Sequence, residues 1–365
     1  MHIAHSGRRR TTQSFVAFVT PSAEIQSVAP GERLFAPLAS ARLRVLIPAA
    51  ELARRVSVLL VPLARFLADP GLAELGGPLA IVMTKLSAGA VHAMQRELSA
   101  MLDSIADGRC PAPVFADLAD DYAALAEPLR APFLAAYQRR LAELCTLIVP
   151  CAALRDAVAP LARRGVVVVE DPYESLAARP VRTRPGEPLG LCWFGNLGPP
   201  NARGLRAALV ALARDAGKGV CRLQLVAGEQ SSQFGVEIAH AVAGANPNWS
   251  AEYAAWSPAA VETAIERSDF VLLPQDHATA WGRVKSHNRL VETIRGGRLA
   301  IASPIPSYLE LADHAWVGEP LSEGLRWALE HPGEAAGRVA RGQARVAERF
   351  APEAIGEKWA SALGV

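Results

Sequence analysis

Asp269-Phe-Val-Leu-Leu-Pro274, a polar loop, Lys285-Ser-His-Asn288-Arg-Leu-Val-Glu292-Thr-Ile-Arg-Gly-Gly297, and Arg298-Leu-Ala-Ile-Ala-Ser303-Pro-Ile-Pro-Ser-Tyr308-Leu-Glu310 run almost without a break through residues 269–310. The order reads as strand, loop, helix, strand, turn, helix. Lys285, Asn288 and Glu292 stand at i, i+3 and i+7, which places three polar groups on one helix face near its start. A helix N-terminus bearing a lysine is a seat for phosphate, because the free N–H groups and the macrodipole both favour an anion. A carboxylate two turns further on can accept from sugar hydroxyls. The combination predicts a nucleotide-sugar site.

Working outward, short apolar runs alternate with helical patterns along the whole chain, the mark of parallel α/β architecture. After residues 269–310 the pattern continues with a strand at 315–317 and a helical tail from Gly333, with Pro352 as a first-turn residue of the last helix. Before it come strands at 189–194, 221–227 and 251–255. The first half reads as strands at 15–20, 43–48, 79–84, 113–116, 146–149 and 166–170. Helices are expected around 31–41, 51–68, 88–107, 120–143 and 151–164. Between the halves, residues 171–188 hold four prolines and little apolar content, which reads as a linker. The expected division is a domain at 1–175, a linker at 176–188, a second domain at 189–350 and a terminal helix at 351–365. Ligands of such sheets bind beyond the carboxyl ends of the strands.

Composition bounds the function classes. At 365 residues, two domains are the natural expectation. Charges nearly balance, 38 basic against 36 acidic, so nothing points to nucleic acid. The five cysteines form no C-x-x-C pair and read as reduced, buried thiols of a cytoplasmic protein. Arg8–Arg10 ahead of a short apolar run superficially resembles an export signal, but Pro21 closes the run too early. The apolar region 43–63 is interrupted by Glu51, Arg54 and Arg55 and cannot span a bilayer. Membrane contact is at most peripheral.

Other candidate groups sit at strand ends. Gly195-Asn196-Leu-Gly198 lets backbone N–H groups approach a phosphate, without the spacing of a dinucleotide fingerprint or a P-loop. Trp256 either stacks on a nucleobase or fills the corner of the domain, and packing is favoured. Asp117, after the strand at 113–116, is a candidate to orient an acceptor hydroxyl or act as base. Asp120 reads as a helix N-cap, and Lys85 as a solvated strand end. No D-x-D pair is present to hold a metal on a diphosphate, so no metal or cofactor is expected.

These residues resemble the GT-B-fold glycosyltransferases, in particular the large retaining, nucleotide-sugar-dependent group. The resemblance is carried by Trp193-Phe-Gly-Asn196, Ser268-Asp269 before Leu-Leu-Pro274, Lys285-x-x-Asn288-Arg-x-x-Glu292 with Gly296-Gly297, and Ser303-Pro-x-Pro-x-Tyr308-x-Glu310. It implies two Rossmann-like domains facing a central cleft, the acceptor on the first and the donor on the second. It also implies a last helix crossing back to the first domain. By motif position Lys285 would neutralise the donor diphosphate, Glu292 would bind the ribose, Gly195 and Asn196 would lie beneath the transferred group, and Ser303 would help hold phosphate. One departure stands out: the family's first glutamate, separated from the second by seven intervening residues, is Val284 here. The implied activity is metal-independent transfer of a sugar to a hydroxyl of a glycan or lipid-linked acceptor, in surface polysaccharide or glycoconjugate synthesis. The alternatives are a nucleotide-sugar epimerase or hydrolase and a non-catalytic nucleotide-sugar-binding protein.

Overall fold

The computed structural model describes residues 14–365 apart from 22–23, 71, 87, 111, 125–131, 176, 216 and 218. The Arg8–Arg10 segment and the middle of the helix expected at 120–143 therefore lie outside the described residues. The chain divides into two compact units. One takes the chain to Ile148 together with Val158–Val167 and Gly356–Val365; the other takes Val149–Ala157 and Val168–Ile355.

The first unit is built on a seven-stranded sheet of β1 (Phe15–Thr20), β2 (Gln26–Val28), β3 (Ser57–Pro62), β4 (Pro78–Met83), β5 (Val114–Asp117), β6 (Thr146–Val149) and β7 (Val166–Val168), in the order β2-β3-β1-β4-β5-β6-β7. β1 pairs in parallel with β3 and β4, and all six of its residues are buried. A run such as Phe-Val-Ala-Phe-Val, apolar on both faces, suits a strand covered on both sides. β2 pairs antiparallel with β3 and lies at the edge of this sheet.

Three expectations fail in this unit. Residues 43–48 form no strand: Arg42–Leu46 is a stretch of π-helix that continues into the helix Ile47–Leu52. The strand lies inside the helix expected at 51–68, as β3. Both runs are short and apolar, and periodicity alone does not separate a buried helix from a buried strand. The wider π turn admits one more residue, and here Arg44 is turned inward, fully buried. Of the helix expected at 31–41, only Ala39–Ala41 is helical.

The second unit has a six-stranded, all-parallel sheet of β8 (Leu189–Gly195), β9 (Cys221–Ala227), β10 (Trp249–Ala255), β11 (Phe270–Leu273), β12 (Leu299–Ala302) and β13 (Trp316–Val317). The order β10-β9-β8-β11-β12-β13 runs outward in both directions from β8 and β11, so the connection reverses between them. Residues 171–188, expected as a linker, are strapped to this unit. The N–H groups of Tyr173, Arg179 and Arg182 donate to the carbonyls of Phe350, Arg295 and Gly297 at 3.0, 3.0 and 2.9 Å. Gly297 makes the close passage possible: its φ is +72°, and a Cβ there would meet the Pro180 carbonyl oxygen at 2.3 Å.

The helix Pro352–Leu363 supplies the last piece of the first unit, which takes in the chain from Gly356 on. Trp359 is fully buried, its ring 5.7 Å from that of Phe18 and 5.2 Å from the Arg44 guanidinium carbon. All five cysteines are free thiols, four of them buried. Among the described residues no helix is long and apolar enough to cross a membrane.

Candidate functional site

In the second unit the strand order reverses between β8 and β11, and open parallel sheets bind ligands outside the carboxyl ends of the strands at such a point. The loops that leave those ends carry Gly195 and Asn196 on one side and residues 274–287 on the other. Gly195 has φ +156°, and a Cβ on it would stand 3.1 Å from Nη1 of Arg289. Asn196 folds the turn over itself: its Oδ1 accepts from the Gly198 N–H at 3.1 Å and its carbonyl accepts from Asn201 Nδ2 at 3.1 Å.

Lys285 does not open the helix. The helix runs Asn288–Arg295, and Lys285 lies in the extended stretch before it. Its Nζ stands 3.5 Å from the centroid of the Trp281 ring, a cation–π contact that fixes the ammonium at the end of the loop. The shared helix face read from the sequence therefore reduces to Asn288 and Glu292, one turn apart.

Glu292 is half-buried on the helix, beside the strap. Its carboxyl accepts from the N–H of Glu174 in the strap, and burial pushes its pKa up to about 7, against the lowering effect of the hydrogen bonds from Glu174 and Ser175. Val284, at the position of the family's first glutamate, is buried, and its carbonyl accepts from Cys151 Sγ at 3.3 Å. Ser303, at the end of β12, accepts from the Gln275 N–H at 3.0 Å and donates to Glu319 at 2.7 Å. A carboxylate that close makes Ser303 a poor phosphate ligand. Its hydroxyl instead ties the ends of β11, β12 and β13 together. Trp256 is partly buried against the core beneath β8 and β11, so packing accounts for it.

Arg289 is the group that sequence reasoning passed over, although it stands beside Asn288. Its guanidinium donates to the Phe194 carbonyl at 3.4 Å, lies 5.9 Å from the Trp193 ring and hydrogen-bonds the buried Tyr308. A second cation thus reaches the tip of β8, next to the glycine turn. No spacing rule marks it, because it is the fold that brings β8 and this helix together.

The rest of the helix start is structural. His287 is buried, its Nε2 3.1 Å from Glu310 and its ring 5.3 Å from Phe350. The hydrogen bonds from His287 and from Arg349 pull the Glu310 pKa down to about 2.

In the first unit, Asp117 ends β5 at 1% exposure, and its Oδ1 accepts from Arg44 at 2.6 and 3.0 Å. It is a buried ion-pair partner, not a base facing solvent. Lys85 pairs with Asp120, and the capping role expected of Asp120 falls to Asp121, whose Oδ1 accepts from the N–H groups of Ala123 and Ala124.

No family model matches the sequence, and no curated protein matches it. Among solved structures, the chain is similar to trehalose-6-phosphate synthase from E. coli bound with UDP-2-fluoro glucose. The TM-score is 0.63 at 10% identity, over 96% of this chain and 99% of that one. The fold is GT-B. The GT-B likeness extends to the S. aureus protein TarM in complex with UDP, at TM-score 0.54 and 10% identity, over 78% of this chain and 55% of that longer one. It extends also to an alpha,alpha-trehalose-phosphate synthase from Burkholderia vietnamiensis, at TM-score 0.57 and 11% identity over 82% of this chain.

Proposed function

We propose that the protein is a glycosyltransferase that moves a sugar from a nucleotide diphosphate sugar to a hydroxyl of a glycan or related acceptor, in polysaccharide or glycoconjugate synthesis. The observation that carries this reading is the switch point of the second sheet. The glycine turn at Gly195 and two cations, Lys285 and Arg289, are carried by the elements that meet there. Two structures of the same fold hold UDP or a UDP-sugar, and a uridine diphosphate sugar is the donor proposed for this chain.

In this reading the backbone N–H groups after Gly195, with Lys285 and Arg289, take up the negative charge that grows on the leaving diphosphate as the sugar becomes cationic. Metal is not required for that task, and EDTA should leave turnover unchanged. Asn288 and Glu292 approach the ribose only if Glu292 exchanges the Glu174 N–H for a sugar hydroxyl.

The test is transfer from UDP-sugars to an acceptor panel, with donor binding followed separately. A second reading, nucleotide-sugar binding without transfer, is favoured by two observations: Val284 places no acid at the donor sugar, and Asp117 is committed to Arg44. Calorimetric binding of a UDP-sugar with no product across the panel would select it. Consumption of donor without acceptor would instead indicate a hydrolase or epimerase.

A further inference from the structure

The helix Pro199–Asp215 buries Leu205, Leu209 and Leu212 in the core of the second unit. Its outward face carries Arg203, Arg206 and Arg214, with Ala207 and Val210 between them, at the i, i+3, i+4, i+7, i+11 positions of one stripe. An arginine-bearing outward face is ordinary for an amphipathic helix. Two features set this one apart.

The first is a groove. The neighbouring helix Ser232–Ala245 faces the stripe with Ala241, Gly244 and Ala245, and these side chains are too small to close the space. A cavity of about 370 Å³ remains. That lies at the lower end of the range for small-molecule sites, which begins at roughly 300 Å³. A Cβ on Gly244 would meet nothing within 4 Å, so the glycine serves no packing need and the groove is open.

The second is unbalanced charge. Among the described residues no carboxylate pairs with Arg203, Arg206 or Arg214, and the three share one helix stripe beside the groove, so their charge is concentrated there. The acids of the two helices are engaged elsewhere: Asp215 accepts from Ser322 at 3.3 Å and Glu237 from Gln233 at 3.0 Å.

We propose that this groove holds the phosphate headgroup of an anionic membrane lipid and so docks the second unit on a bilayer. The planar guanidinium fork matches a phosphodiester, and the floor of Ala207, Val210, Ala241 and Ala245 takes the glycerol and first methylenes. The spacing from Arg203 to Arg214 spans about 16 Å of helix, which lets several headgroups of a charged surface be met at once. The inference is independent of the proposed glycosyl transfer.

The experiment is co-sedimentation of the full chain with phosphatidylcholine vesicles and with vesicles carrying about 30% phosphatidylglycerol, each at low and high salt. The wild type is expected to bind only the anionic vesicles, and less at high salt. The triple variant Arg203→Glu/Arg206→Glu/Arg214→Glu should lose about tenfold or more of that binding. Reversing three exposed arginines elsewhere, at Arg163, Arg267 and Arg341, should change it by less than about twofold. Gly244→Leu fills the groove without touching the charge and should also weaken binding. The proposal is overturned by equal binding to both vesicles, by equal loss in the two triple variants, or by unchanged binding of Gly244→Leu. Release of the protein by millimolar glycerol 3-phosphate overturns it too, since the groove then takes a soluble phosphate ester.

Discussion

Lys285 and Glu292 sit in different settings, the lysine in the loop ahead of the helix and the glutamate on the helix against the strap. Lys285, held on Trp281 in the loop, is the residue whose loss should be purely functional. Lys285→Ala is expected to lower transfer by about 10² to 10³-fold, the loss seen when one preorganised charge-stabilising group is removed. Its melting temperature should stay close to wild type, and wild-type turnover in this variant would remove Lys285 from the donor site. Glu292 makes a pH prediction. Its folded-state pKa, about 7, lies above the ordinary carboxyl value of 4.5. The folded protein therefore binds this proton more tightly than the unfolded chain, and the group's contribution is fully present at acid pH and lost as pH rises through about 7. Melting curves of the wild type and Glu292→Gln between pH 4.5 and 8 should show the wild type losing stability relative to the variant. A constant gap would mean that the carboxyl is solvated.

At the scale of elements, the carboxyl end of β5 is fixed by Arg44 from the π turn. Both partners are nearly inaccessible, at 2% and 0% side-chain exposure. Removing one leaves an uncompensated buried charge, so Asp117→Ala should cost about 3–5 kcal/mol in urea unfolding of the first unit, partly recovered by adding Arg44→Met. The same pair explains why this part of the chain was illegible. Leu43–Pro48 has strand composition, and only the inward turn of Arg44 onto a residue 73 positions away reveals a helix. By contrast, Phe15–Thr20, Phe270–Leu273 and Leu299–Ala302 are readable, because runs buried on both faces need no partner information. In the candidate site, Gly195 and Lys285 were legible as residue types in context. The Arg289 approach to Gly195 was not, since it arises from tertiary packing. The anchoring of residues 171–188 is illegible for a related reason: the prolines and polar residues mark irregular backbone, and the close passage at Gly297 is invisible locally. Gly297→Ala should detach that strap at a cost of about 1–3 kcal/mol, seen as faster amide exchange at Arg179 and Arg182.

At the scale of the molecule, ligand binding is the cheapest discriminator among the functional readings. A nucleotide that binds only the folded state adds RT ln(1 + [L]/Kd), about 2.7 kcal/mol at a hundredfold excess over Kd. UDP and UDP-sugars should therefore raise the melting temperature by several degrees in wild type and by less in Lys285→Ala. A flat response to UDP, GDP, dTDP and CMP sugars alike would contradict nucleotide-sugar binding altogether. Both units carry the largely parallel sheets expected from the alternation of apolar runs, with the antiparallel β2 as an addition at the edge of the first.

The burial of Trp359 against Phe18 and Arg44 carries a consequence for the order of synthesis. The first strand of the first unit leaves the ribosome long before the tryptophan that completes its core. The second unit has all of its strands in hand while its neighbour still lacks that piece, so the part of the chain made first is the part that matures last. A nascent chain stalled before Gly356 should then carry a protease-resistant second unit and a protease-sensitive first one.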